Sequence, residues 1–347
     1  MSAPQARSVG VAVIGSGHWG PNLIRNFYDA SDSDVVWVAD LDEGRLEEVA
    51  SRFPGVRTTT DAETAIADPD VDAVVVATPA TTHFALANSA LEHGKHVLVE
   101  KPITTDAASA AKLCDLAEAG GLVLMVGQVF LYNTAVRRVR AVIEAGKLGR
   151  VYYVSMVRTN LGPIRLDVDA SWDLAAHDLS IASYWLDSEP LTASAIGGSW
   201  INAGIDDAVF AVLGYPGDVL VSLHSSWLNP RKVRDITVVG DHKMLTLDDM
   251  NLSEPIRIYD KQVTESLVHP AFVDTFASFR ASIREGDITI PNVALGEPLK
   301  AECREFIECV RSGAHPMSGG RQGLAVVRAL EAIQRSMKNR GREEPVT

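Results

Sequence analysis

The feature that most restricts how this chain can fold is Gly15-Ser16-Gly17-His18-Trp19-Gly20, a Gly-x-Gly-x-x-Gly turn set directly after the β-branched run Val9 to Ile14. Such a glycine pattern alone is weak, because glycine-rich turns are common. Here it opens a helix-like stretch and is followed, 20 residues beyond Gly20, by Asp40 at the end of the next β run, Val35 to Ala39. A dinucleotide-binding βαβ unit requires that context. Gly15 permits the tight turn, Gly17 lets the backbone approach a pyrophosphate, and Gly20 lets helix and strand pack closely, with the anion on the helix N-terminus. Asp40 can accept hydrogen bonds from both ribose hydroxyls, whereas a 2′-phosphate there would meet like charge, so NAD is favoured over NADP. Arg45 is near enough in sequence to neutralise such a phosphate; the alternative is a solvated helix charge.

Short β-branched runs alternate with alanine-rich, polar-striped stretches through the first third of the chain, the pattern of a parallel sheet wrapped by helices. Strands are expected at Val9 to Ile14, Val35 to Ala39, Ala73 to Ala77, His96 to Val99 and Val123 to Val126. Helices are expected between them at Trp19 to Ala30, Glu43 to Arg52, Thr82 to His93 and Thr105 to Ala119. The fold class is therefore α/β, with a doubly wound domain over residues 1–127. Residues 128–347 read as a second, α+β domain. It has helices at Thr134 to Ala145, Trp172 to Leu186, Glu297 to Ser312 and Gly323 to Lys338, and strand-like runs between Ala193 and Leu247 without intervening helices, which points to an antiparallel sheet. The polar tail from Asn339 is expected to fray.

Composition narrows the function. Thirty-two basic against 45 acidic residues give a net charge of −13, a poor footprint for nucleic acid. Cys114, Cys303 and Cys309 fit no zinc or disulfide spacing, so a reducing cytoplasm is expected and no metal is needed. No apolar run reaches the ~20 residues of a membrane helix, and Met1 to Gly10 has no secretory core, so neither membrane insertion nor export is expected.

Two further places carry chemistry. Thr78-Pro79 and Glu100-Lys101-Pro102 end the third and fourth expected strands, at the carboxyl edge where ligands of open α/β sheets bind. A lone lysine is usually solvated surface; at this edge the Lys101 ammonium could stabilise a developing alkoxide. Asp173 and His177 stand at i, i+4, so on a helix the carboxylate can orient the imidazole as a general base. The Tyr-x-x-x-Lys couple of short-chain dehydrogenases is absent, as is His-Glu-x-x-His.

Together the glycine turn, Ala77-Thr78-Pro79 with His83, Glu100-Lys101-Pro102 and Asp173-x-x-x-His177 resemble the glucose-fructose oxidoreductase/inositol dehydrogenase/MocA family over nearly the whole chain. The stretches Gly127 to Asn133, Asn160 to Arg165 and Trp172 to Ser180 resemble its nucleotide-sugar 3-dehydrogenase branch, which often has histidine where Gln128 stands. The resemblance implies Lys101, Asp173 and His177 as the catalytic set. It implies cofactor contacts from Gly15, Gly17, His18, Trp19, Gly20, Asp40, Thr78, Pro79, His83, Glu100, Lys101 and Gln128. For the substrate it implies Lys101, Asn160, Arg165, Asp173 and His177, with Arg165 ranked ahead of Arg158, Arg231 and Lys232 as a partner for a diphosphate or carboxylate. It further implies an open-faced, mainly antiparallel sheet that binds substrate on one side and assembles a homodimer or homotetramer through the other. The expected reaction is hydride transfer between NAD and a secondary alcohol of a sugar, at C3 of a nucleotide-linked hexose or hexuronate. An inositol or free-sugar dehydrogenase, a 3-ketosugar reductase and a non-catalytic dinucleotide sensor are the alternatives.

Overall fold

The run Val9–Ile14 contains only apolar residues and glycine and is buried at every position, so it forms the central strand, β1, of a parallel sheet. The computed structural model describes residues 7–166, 168–263 and 283–347. β2 (Ser33–Ala39), β3 (Arg57–Thr59), β4 (Ala73–Val76), β5 (His96–Glu100) and β6 (Leu124–Gly127) complete the sheet in the order β3-β2-β1-β4-β5-β6, every neighbouring pair parallel. The helices α1 (Gly20–Tyr28), α2 (Glu43–Arg52), α3 (Ala62–Ile66), α4 (Ala80–Glu92) and α5 (Ala107–Gly120) join the strands. Asp42 and Asp106 cap α2 and α5 by accepting from Gly44 and Arg45 N–H and from Ser109 N–H. The strand order reverses between β1 and β4, the point at which ligands of such sheets bind. This is the doubly wound sheet expected, with β3 and α3 added.

The described chain forms two compact units, residues up to Tyr132 with Glu297–Glu331, and Asn133–Gly296 with Ala332–Thr347. A single boundary at Gly127 therefore does not describe it: α8 (Pro298–Ser312) and the first part of α9 (Gly320–Lys338) return to the first unit. Phe306 of α8 meets Phe27 of α1 edge-on, ring centroids 6.2 Å apart. At Gly320 and Gly323 a Cβ would lie 2.7 and 2.6 Å from the side chains of Leu124 and Val126, so α9 begins hard against β6.

The second unit holds α6 (Thr134–Glu144), β7 (Val151–Leu161), a π-helical turn (Ser171–Ala175) running into α7 (Ala176–Leu186), and a nine-stranded sheet. Its other strands are β8 (Thr192–Gly198), β9 (Ala208–Tyr215), β10 (Val219–Ser226), β11 (Leu228–Gly240), β12 (Met244–Asp248), β13 (Ile256–Val263), β14 (Ile283–Thr289) and β15 (Glu344–Pro345). Pairing is antiparallel except between β7 and β10. Alternation along the strands buries Val154, Met156, Leu213, Val221 and Leu223 on one face and leaves Tyr153, Ile196, Phe210, Val212 and Leu220 exposed on the other. The tail expected to fray does not: Glu344 and Pro345 pair with Ala193 and Thr192, and Val346 N–H donates to Leu191 O at 2.9 Å. No helix among the described residues is long and apolar enough to cross a membrane.

Candidate active site

In the first unit the glycine turn is built as its spacing demands. Gly15 has φ +101°, and a Cβ there would lie 2.6 Å from Ala77 O; at Gly20 it would lie 2.1 Å from Gly15 O. Only residues without a side chain permit that approach. No side chain caps the start of α1 at Trp19, and Pro21 occupies its first turn, so the helix start offers N–H groups to an anion. Next to the turn, Asp40 Oδ2 accepts from Ser16 N–H at 2.6 Å and Oδ1 from Asp42 N–H at 3.0 Å. Arg45 Nη1 stands 3.7 Å from Asp40 Oδ2 while its Nε stands 3.6 Å from Asp42 Oδ2, so this guanidinium is shared between two carboxylates. Each Asp40 oxygen keeps a lone pair for a ribose hydroxyl. A bare backbone cradle, an uncapped helix start and a carboxylate one strand away fit a dinucleotide.

At the ends of β4 and β5 the sequence-derived residues divide into two groups. His83 is buried, its Nδ1 2.7 Å from Pro102 O and its Nε2 2.9 Å from Thr78 O, so its ring ties together the two loops that follow these strands. Thr78 Oγ1 accepts from Thr82 Oγ1 at 2.7 Å, and Pro79 precedes α4 as an exposed cap. Glu100 Oε2 accepts from Lys101 N–H at 3.3 Å, and the Trp19 indole also donates to the Glu100 carboxylate. Desolvation nevertheless outweighs these contacts and the Lys101 charge, pushing Glu100 up to about 7. Gln128 is buried, and its amide oxygen has no hydrogen-bond partner among the described residues. His18 is exposed.

The second unit presents the other cluster. Asp169 Oδ1 accepts from Ser171 N–H and Oγ–H at 2.9 and 2.6 Å and from Trp172 N–H at 3.1 Å, pinning the start of the π-helical turn that carries Asp173. A wider turn thus stands at Asp173 where plain α-helix was expected, a local form frequent at functional sites. Asp173 Oδ2 accepts from the indole N–H of the buried Trp227 at 3.1 Å, and Oδ1 lies 3.4 Å from Arg165 Nη1. His177 follows in the first turn of α7. Asn160 Nδ2 donates to Gly162 O, closing the loop that carries Arg165.

Arg158 is corrected by its surroundings: it is buried, and its Nε and Nη2 both donate to Asp178 Oδ1, at 2.9 and 2.7 Å. It braces β7 against α7 and is no solvent-facing anchor for a diphosphate. Trp227, Asp178 and the buried Glu302 of α8 were not foreseen. Only a tertiary structure brings them to these places; the one local hint was Asp178 following His177.

Comparison with known proteins bears on this arrangement. Residues 9–128 match the GFO/IDH/MocA model, described as an oxidoreductase family with an NAD-binding Rossmann fold, and residues 136–246 match the GFO/IDH/MocA C-terminal domain. Inositol 2-dehydrogenase of Rhodococcus jostii is 33% identical over 184 residues, 52% of this chain and 50% of that protein, so the match spans about half the length of that curated relative. UDP-N-acetylglucosamine 3-dehydrogenase of Acidithiobacillus ferrooxidans is 31% identical over 245 residues, 69% of this chain and 74% of that protein. Among solved structures, GenD2 from gentamicin A biosynthesis, in complex with NAD, aligns with a TM-score of 0.81 at 25% identity, covering 99% of this chain and 98% of its own. Matched by models of both family domains and to nearly three quarters of one relative's length, the chain belongs to the GFO/IDH/MocA oxidoreductase family, and its first unit is that family's NAD-binding Rossmann fold.

Proposed function

We propose that the chain moves hydride between NAD and a secondary alcohol of a sugar, at C3 of a nucleotide-linked hexose or hexuronate. The observation that carries the reading is the fixing of Asp173 one turn before His177 by the Trp227 indole and the Arg165 guanidinium. A carboxylate held in this way can orient an imidazole and offset the charge it gains as a base. NAD, when bound, supplies the hydride acceptor and, reduced, the donor. His177 takes the proton of the hydroxyl being oxidised, and the Lys101 ammonium stabilises the developing alkoxide. In the reducing direction His177 returns the proton to the carbonyl oxygen while the Lys101 ammonium again stabilises the developing alkoxide. Arg165, whose side chain is 38% exposed, is the anchor we favour for a diphosphate or carboxylate, because its planar guanidinium matches either group. The likeness to an inositol 2-dehydrogenase supports a second reading, a cyclitol or free-sugar substrate. We place the enzyme in the cytoplasm as a homodimer or homotetramer, a state supported by the exposed apolar side chains of the second unit's sheet.

The test is a panel of free and nucleotide-linked sugars followed at the nicotinamide absorbance band, with Lys101→Met, His177→Phe and the double variant. Each single change should lower kcat by roughly 10²–10⁴-fold, and the double variant should fall short of the product of the two. NADH affinity should survive in all three. Equal activity on a free sugar and its nucleotide-linked form would remove the nucleotide-sugar assignment. NADH binding without turnover across the panel would instead favour a sensor, and near-wild-type turnover by His177→Phe would remove the base.

A further inference from the structure

Glu302 lies on α8 and is 0% exposed, and no group among the described residues donates a hydrogen bond to either of its carboxyl oxygens. An ionised carboxylate placed so would be strongly unfavourable, since nothing repays the loss of its hydration. Its surroundings make ionisation worse. The charged groups acting on it are the carboxylates of Glu100 and, one helical turn on, Glu305. The next residue, Cys303, is a buried thiol, also pushed well above its usual range; Glu297 and Arg25 pair at the start of the same helix. Burial and the Glu100 charge together hold Glu302 well above the usual carboxylate range.

Glu100 differs in being partly compensated. It receives the Trp19 indole and the Lys101 N–H, and its carboxyl group rests on Gly127, where a Cβ would lie 3.0 Å from Glu100 Cδ. Of two neighbouring buried carboxyls, the one with donors keeps the negative charge and the one without them keeps the proton. A protonated carboxyl is a donor, and an ionised neighbour is its natural acceptor.

We propose that Glu302 is held as the neutral carboxylic acid and donates a hydrogen bond to the Glu100 carboxylate, making Glu302 a positioning residue for Lys101. Removing that donor leaves Glu100 under-satisfied, so it takes up a proton itself and Lys101 loses the adjacent negative charge. The kinetic consequence rests on the role given above to Lys101; the proton on Glu302 does not.

Three measurements on the full-length chain decide the matter. Infrared spectra taken at a pH above the value of about 7 reached by Glu100, where that group is ionised, should contain the carbonyl stretch of a protonated carboxylic acid in the wild type and lose it in Glu302→Gln. Its absence from the wild type, or its persistence in the variant, would overturn the proposal. Thermal melts follow from the sign of the shift: a group whose affinity for a proton is raised by folding adds stability at low pH that is lost as pH rises through its folded value. Above the ordinary carboxylate range, from about pH 5, the wild-type Tm should therefore fall more steeply with pH than that of Glu302→Gln, which cannot ionise; equal slopes would count against the proposal. For turnover, Gln retains neutrality and a donor, so its kcat should stay within about threefold, while Glu302→Leu should lose roughly tenfold or more with unchanged NADH affinity. Equal losses in the two variants would mean that a charged carboxylate is required, and full activity in Glu302→Leu that the side chain only fills space; either sinks the proposal. A wild type inactive on every sugar would remove the function proposed above, and the infrared and melting experiments would still decide the state of Glu302.

Discussion

At Asp40 one carboxylate meets two backbone amides and a guanidinium, and we expect this balance to set the preference between NAD and NADP. Arg45 stands at similar distances from Asp40 and Asp42, so removing the first carboxylate leaves the cation half-compensated and turned toward the space a 2′-phosphate would fill. Asp40→Ala should therefore weaken NAD and strengthen NADP, changing the ratio of their Kd values by about tenfold or more, or about 1.4 kcal/mol. Fluorescence titration of wild type and variant with both cofactors measures it, and tighter NADP binding by the wild type would show that Arg45 already dominates. The places of Asp40, Gly15 and Lys101 in the fold are legible in sequence because they depend on near neighbours: a strand, a turn, a strand end. Trp227 and Glu302 are not, since the indole reaches Asp173 from 54 positions away and the buried acid faces Glu100 from another element. His83 shows the limit from the other side: its ring joins the loops after β4 and β5 through two backbone carbonyls, a structural part that its motif position does not report.

Among the elements, α1 carries the sharpest constraint, because its first residue leaves no room for a methyl group against the turn before it. Gly20→Ala would place Cβ 2.1 Å from Gly15 O, a backbone atom that can move only by opening the turn. The expected cost is about 1–3 kcal/mol of stability, seen as a lower Tm, with NADH affinity reduced by roughly tenfold or more because the opened turn no longer presents its amides together. A variant that melted and bound NADH like the wild type would contradict the close approach. Period-2 and period-3.6 patterns located β1 and α2 with correct bounds, since each is an apolar or amphipathic run ended by a breaker. Three-residue β3, Arg57–Thr59, has no hydrophobic run to read. The π-helical turn at Ser171–Ala175 is set by the Asp169 side chain, which no periodicity reports. The return of α8 to the first unit depends on where Phe306 finds Phe27, although its amphipathic stripe was plain.

At the scale of the whole molecule, the exposed face of the second unit's sheet sets the expectation for assembly. Register places Ile196 beside Phe210 and Phe210 beside His224, with Val212 and Leu220 on the same face and Leu220 beside Tyr153. Phe210 and His224 are stacked, ring centroids 4.4 Å apart, which flattens the middle of the patch. The apolar side chains gather on β7 to β10, whereas the same row continues on β11 and β12 with Asp235 and Asp248 directly opposite each other. Burial and the Asp248 charge raise Asp235 above the usual carboxylate range, so that end of the face is the less suited to a dry contact. A contiguous apolar patch with a polar margin is the anatomy of a protein interface, and a net charge of −13 would otherwise keep copies apart. We therefore expect a homodimer or homotetramer closed through this face, in which Leu220 and Phe210 are covered by a second copy. Introducing charge at both positions, Phe210→Glu with Leu220→Glu, buries two unpaired carboxylates in any such contact and should give a monomer by sedimentation at concentrations where the wild type is assembled. Both positions are exposed in the isolated chain, so the variant should keep its fold and its affinity for NADH. A wild-type chain that sediments as a monomer, or a double variant that assembles like the wild type, would remove this face from the interface.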